Sequence, residues 1–193
     1  MATGERRAAA VPPGADGAPV LVLCAGGPDD VLAAVPALRA LRRARPGRPL
    51  VLAGGPAADL LRRAGVVDDV VPTTGAGDVP PGLRLAADGA RVPHTAVNLH
   101  DAGPAGHRLL LAGRPDDVLW FACTPPPGAR DPGWGLDSGP VWDDAQAPAD
   151  RWYRLVATTG VAPDPADRLL PAGLVAACAA LRTGVRSQVP AQD

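Results

Sequence analysis

The sequence contains no lysine: all 19 basic residues among its 193 are arginine. A Walker-type phosphate loop would lack its lysine, so a P-loop nucleotidase is not expected. Chemistry through a lysine Schiff base, pyridoxal phosphate included, is excluded. Aromatic residues are almost as scarce, at 3%, which leaves Leu, Val and Ala to build a core. Only three cysteines occur, Cys24, Cys123 and Cys178, far apart and without a CxxC pair. That spacing fits neither a disulfide framework nor a zinc site. Each cysteine reads as a small buried hydrophobe in a reducing cytoplasm. No apolar run approaches the length of a membrane span. A net charge of -1 gives no broad attraction to nucleic acid or to an anionic membrane. No serine stands in a G-x-S-x-G elbow.

What is present suits one α/β domain. Hydrophobic residues make up 47% of the chain, and 24 Pro with 23 Gly predict many interruptions and some long loops. The start, residues 1–17, reads as a disordered leader, because its two arginines precede no continuous apolar stretch. From Pro19 the pattern is regular. "PVLVLC" is a short continuous apolar run, the signature of a strand buried on both faces. Asp29 to about Arg45 then reads as a helix, with Val31, Leu32, Val35, Leu38 and Leu41 on one stripe. Pro36 falls inside it and should kink it or tighten its first turns. Arg39, Arg42, Arg43 and Arg45 gather toward its C-terminal end, where the helix dipole favours cations, and read as a solvated face.

The unit repeats. "PLVLAGGPAADLLRRAG" is again strand, AGGP turn, helix and glycine stop, so Ala25–Pro28 recurs as Ala53–Pro56. Two successive units of this kind imply parallel strands joined by right-handed crossovers. Further strands are expected around Val67–Thr73, over 94–100 and over 116–123. Helices are expected over 106–113, 150–160 and "AGLVAACAALRTG". The stretches 74–93 and 124–141 read as loops, the second carrying Trp134, and "VRSQVPAQD" as a frayed tail. Trp152, Leu155 and Val156 share one helical face, so this tryptophan packs. The predicted fold is a doubly wound parallel α/β sheet. It divides into the leader, a Rossmann-like domain over 18–172, and a C-terminal helix remnant with tail over 173–193.

Ligands of such sheets bind beyond the carboxyl ends of the strands. The "AGGPDD" turn, the "NLHDAGPAGH" turn and the loop after Cys123 fall there. Their chemically useful residues are Asp29, Asp30, His100, Asp101 and His107. "AGGPDD" supplies no dinucleotide fingerprint, and its two carboxylates would compete with a phosphate for the helix N-terminus. Each aspartate can cap the helix, worth about 1 kcal/mol, or face the cleft as a general base. Spacing alone favours capping. His100 and His107 lack a zinc spacing and read as polar surface histidines.

Together, "VLVLCAGGPDDVLAAVPALRALRRARPGRPLVLAGGPAADLL", "VVDDVVPT", "AVNLHDAGPAGHRLLL" and "DRWYRLVATTGVAPDPADRLL" resemble glycosyltransferase family 9, the ADP-heptose:lipopolysaccharide heptosyltransferase type. The matches run in the family's order over roughly residues 18 to 170. The resemblance implies the N-terminal half of a two-domain GT-B fold and an inverting, metal-independent transfer without a cofactor. The donor would be a nucleotide sugar and the acceptor a glycan or glycolipid. It puts the catalytic base on Asp30, and Gly27, Asp29, Asn98, His100 and His107 on the acceptor side. The location implied is cytoplasmic, at most at the inner face of the membrane.

The chain departs from the family at Cys24, usually arginine, and at Asp29, usually glycine. Gln146, Ala147 and Pro148 replace an acidic-histidine segment. The length is about half that of a full member. A truncated transferase, inactive alone and needing a separate C-terminal donor-domain polypeptide, is therefore one expectation. A non-catalytic remnant or binding module that keeps the fold is the other.

Overall fold

The computed structural model describes residues 17–73, 92–123, 137–162 and 164–186. The leader over 1–16, most of the 74–93 loop, Trp134 with the rest of 124–136, and the end of the tail lie outside the described residues.

The first apolar run forms β1 (Val20–Cys24), buried throughout, and is followed by α1 (Pro28–Ala44). The repeat gives β2 (Leu50–Gly54) and the short α2 (Ala58–Arg63). Then come β3 (Asp69–Pro72), β4 (Thr95–Asn98), α3 (Pro104–Ala112), β5 (Asp117–Leu119), α4 (Pro148–Ala157) and α5 (Ala172–Arg186). A single 3-10 turn, Pro165–Arg168, lies between α4 and α5. The described strands form one parallel sheet in the order β3-β2-β1-β4-β5. Helices cover both faces, as a parallel sheet requires, so the doubly wound α/β expectation holds.

Alternation along β1 divides the core. Val20, Val22 and Cys24 face α1, α4 and α5, while Leu21 and Leu23 join Val51, Ala53, Ala96 and Leu110 of α3 on the opposite face. α1 is buried over more than the predicted stripe: Ala34, Ala37 and Ala40 are covered as fully as Val35 and Leu38. These small residues lie on the helix that α4 packs against most extensively. Pro36 is accommodated within the continuous helix. Trp152 packs as expected, in an edge and tilted cluster with Phe121 and Trp142. The helix α2 stops at Gly65, whose φ of 68° is in the left-handed region that favours glycine.

The arginines gathered toward the end of α1 stay partly exposed, as a solvated face does, and each also has protein partners. Arg39 donates to the carbonyls of Ala166, Asp167 and Leu169. Arg42 pairs with Asp68 at 3.2 Å and also donates to Val66. Arg43 pairs with the buried Asp167, and Arg45 with Asp117 at 3.7 Å. They bind the segments around α1 while still reaching solvent, because each guanidinium meets carbonyls or carboxylates that tertiary packing brings alongside.

The strand β5 is shorter than its sequence signal. Past Leu119 the chain pairs with a later segment: Ala122 donates to Pro140 O at 3.0 Å and bridges Val141. The last helix is longer than expected and reaches Arg186. It packs on α1 and α2, with Leu174 and Cys178 buried.

Candidate functional site

Strand order reverses at β1. The chain steps from β1 outward to β2 and β3, then returns to lay β4 on the other side of β1. Between the carboxyl ends of β1 and β4 this leaves the crevice where open α/β sheets hold ligands. Its two lips are close, since Leu99 N donates to Leu23 O at 2.9 Å.

One lip is the Ala25–Asp30 turn. Gly27 is the N-cap of α1, and Asp30, three residues on, accepts a hydrogen bond from the Gly27 N–H at 2.9 Å. This is the returning half of a capping box. Asp30 folds over Gly26 so closely that a Cβ there would lie 2.7 Å from Asp30 Cβ and 2.6 Å from Asp30 Cγ. Asp30 and Gly27 are both exposed. Asp29 points elsewhere: its carboxylate pairs with Arg182 of α5 at 2.9 Å. The second AGGP turn lies alongside, and a Cβ at Gly54 would lie 2.8 Å from Cys24 O.

Cys24, beneath the turn, is fully buried. Burial first, then the charge of Asp30, pushes its thiol up to about 12, against a smaller opposing effect of the Gly26 backbone. It is a neutral packing residue, as its sequence context suggests. Its side chain lies in the core under α1, so position 24 offers no surface for a basic contact to an acceptor.

The other lip is the turn after β4. Asn98 is fully buried, and its amide organises this turn. Its Nδ2 donates to Asp101 Oδ1 at 3.0 Å, while its Oδ1 accepts from the backbone N–H groups of His100, at 2.9 Å, and Asp101. Asp101 Oδ1 also accepts from Gly103 N. Gly106 admits the pair, because a Cβ there would lie 2.6 Å from Asp101 Oδ1 and 2.7 Å from Asn98 Nδ2. The half-buried ring of His100 has no hydrogen-bond partner among the described residues.

His107 departs from the surface expectation. It is fully buried on α3, edge-on to Trp120 with ring centroids 4.6 Å apart. Burial lowers its pKa, opposed by Asp101 and by the backbone at Gly103 and Phe121. Three apolar neighbours in "GHRLLLAG" make this helix face inward at position 107, which the histidine spacing alone does not reveal.

The turns therefore bring Gly27, Asp30, Asn98, His100 and Asp101 to adjacent strand ends. Asp29 is turned toward α5, and His107 is enclosed. Arg182 was not among the sequence candidates. Its signal was present, since Leu174, Cys178 and Arg182 recur every four residues on one face. Among the described residues no group of three His, Cys, Asp or Glu side chains could hold a metal ion. A cavity of about 190 Å³ lies among Val20, Thr95, Asp117 and Thr158, at the amino ends of the strands and away from the crevice.

No known family profile matches the chain, and no curated protein matches it. Solved structures do. A glycosyl transferase of family 9 from Veillonella parvula superposes with a TM-score of 0.54 at 14% identity, over 77% of this chain and 42% of that one. The E. coli heptosyltransferase WaaC with ADP superposes with a TM-score of 0.51 at 16% identity, over 76% of this chain and 48% of that one. The chain spans less than half the length of either. Over that part it carries the α/β fold of these GT-B glycosyltransferases.

Proposed function

We propose that this chain is the N-terminal, acceptor-side half of an inverting glycosyltransferase of the heptosyltransferase type. Asp30 would take the proton of an acceptor hydroxyl as that oxygen attacks the anomeric carbon of a nucleotide sugar. The bond from that carbon to the diphosphate breaks, and the diphosphate leaves with the electron pair. Gly27 and His100 would line the acceptor side, with Asn98 and Asp101 holding the turn that carries His100. The nucleotide sugar would be held by a C-terminal donor half. The acceptor would be a glycan or glycolipid, and the reaction would run in the cytoplasm, at most at the inner face of the membrane.

The observation that carries this reading is the exposed carboxylate of Asp30 at the reversal of strand order, on the lip opposite the turn that carries His100. The likeness to two glycosyltransferases over about half their length supports it. The test is sugar transfer from an ADP-sugar by this chain combined with a donor-domain polypeptide. Asp30→Asn is expected to abolish transfer with melting nearly unchanged. Full activity in that variant would overturn the role of Asp30.

One observation favours a non-catalytic binding module instead: the Asp30 carboxylate already caps α1 through Gly27. Calorimetry with the acceptor glycan separates the two readings. Acceptor binding without transfer, even when the donor half is supplied, would favour the module.

A further inference from the structure

The amino ends of the strands carry a second constellation. β4 pairs Thr95 with Val20 of β1 on one side and with Asp117 of β5 on the other, so these residues form one row across the sheet. Side chains alternate along β4. Ala96 joins the α3 side of the core, and Val97 joins the side covered by α1 and α4, so Thr95 points with Val97. Both helices end near this row, α1 at Ala44 and α4 at Ala157. The cavity of about 190 Å³ lies between the row and the two helix ends. It has room for about six waters.

Its walls are chemically mixed. Val20, Leu41 and Leu119 make an apolar side. Arg45 and Asp117 stand at the mouth, with charged atoms 3.7 Å apart, beyond hydrogen-bond length. Asp117 Oδ1 accepts from Val118 N, and Oδ2 is the oxygen that faces Arg45. Among the described residues the Arg45 guanidinium donates one long bond, to Ala44 O at 3.3 Å. The hydroxyls of Thr158 and Thr159 donate to Leu155 O and Val156 O, each at 2.7 Å, so toward the cavity they offer acceptor lone pairs. The carbonyl ends of α1 and α4 add partial negative charge.

Thr95 is the group that points to a ligand. It is 5% exposed, lines the cavity, and its hydroxyl has no hydrogen-bond partner among the described residues. A buried hydroxyl left unpaired costs about 1–3 kcal/mol. A polar group entering the cavity would offset that cost.

We propose that this cavity binds a small aliphatic α-amino acid. The ligand carboxylate would meet Arg45 and its ammonium Asp117, with the aliphatic side chain against Val20, Leu41 and Leu119. Thr95 would supply a hydrogen bond inside the cavity. Two adjacent opposite charges on the protein match the two adjacent charges of the ligand, and each new bond is charge-assisted. A simple anion would face Asp117 and the helix ends, and a simple amine would face Arg45, so the zwitterion is favoured over either. The site is at the opposite end of the sheet from the crevice and uses none of its residues. It goes beyond the glycosyltransferase reading and does not rest on it.

The test is a titration of the full chain with L-valine, followed by amide NMR. Saturable shifts are expected at Val20, Thr95, Val118 and Thr159, with the Gly27 and His100 amides unmoved and half-saturation at about 1 mM. Isobutylamine lacks the carboxylate and isobutyrate lacks the ammonium, and each should bind roughly ten-fold more weakly. Thr95→Val keeps the shape of the side chain and should weaken valine binding about five-fold. Asp117→Asn should weaken it about ten-fold. No saturable shift up to about 10 mM valine would overturn the proposal, leaving a cavity that holds water alone. Binding of isobutylamine or isobutyrate as tight as that of valine would overturn the assignment of a zwitterion. Unchanged valine affinity in both variants would put valine outside this cavity and overturn the site.

Discussion

The Asp30 carboxylate sits directly over Gly26 and accepts from the N–H of Gly27 at 2.9 Å. A glycine at 26 is thus a condition for the position of Asp30. Gly26 makes room for the carboxylate, and the backbone N–H at position 27 holds it.

Gly26→Ala should therefore displace Asp30. The added Cβ would lie 2.7 Å from Asp30 Cβ, below any ordinary contact, and because rotation of the aspartate cannot move its Cβ the turn backbone must shift as well. The expected result is a Gly27 amide that exchanges roughly five-fold faster, with global stability reduced by roughly 1–3 kcal/mol. Gly27→Ala is the control, since a Cβ there meets nothing within 4 Å. Equal amide exchange in the two variants would show that Gly26 does not govern the position of Asp30.

The legible and illegible parts of this molecule divide on physical grounds. Continuous apolar runs bounded by glycine and proline mark buried parallel strands, and "PVLVLC", "PLVLAGG" and "TAVN" all became strands. The position of the turns at the carboxyl ends followed from chain order alone. What a side chain meets across the fold did not. The arginines of α1 look like a hydrated face until Asp167, Asp68 and the carbonyls of 162–169 are brought beside them from more than 20 residues away. His107 looks polar until α3 turns it against Trp120. Asp30, three residues past Gly27, holds the capping-box place, whereas the partner of Asp29, Arg182 of α5, comes some 150 residues later.

Asp167 should be among the costly polar residues to remove. It is 4% exposed, pairs with Arg43 and accepts from the Tyr153 hydroxyl at 3.0 Å. The same hydroxyl accepts from Asp164 N at 2.8 Å, which ties the segment before α5 to α4. Asp167→Ala leaves Arg43 without its anion and Tyr153 without its acceptor, an expected loss of about 3 kcal/mol. Tyr153→Phe keeps the ion pair and should lose about 1 kcal/mol. Chemical denaturation of both variants measures the difference, and equal losses would contradict the network.

The thiols should be inert in the folded protein. Cys24 and Cys178 are fully buried, and Cys24 is pushed from 9.0 to about 12. That shift alone lowers the thiolate fraction about a thousandfold at neutral pH. Alkylation at pH 8 is expected to label neither residue until denaturant is added. Rapid labelling of Cys24 in the native state would contradict the packing of the turn over it.

The stability of the fold should depend on pH through His107. Burial lowers its pKa from the ordinary 6.5, so the unfolded chain binds a proton more readily than the folded one. Stability from this group is then fully present above about pH 6.5 and is lost as pH falls toward the lower folded-state value. The contribution is therefore read as pH falls below the ordinary histidine value of about 6.5. His107→Phe preserves an aromatic edge against Trp120 and removes the titration. The wild type should lose stability over that range more steeply than His107→Phe, as read from urea midpoints at several pH values. Parallel pH profiles for the two proteins would show that His107 does not carry the dependence.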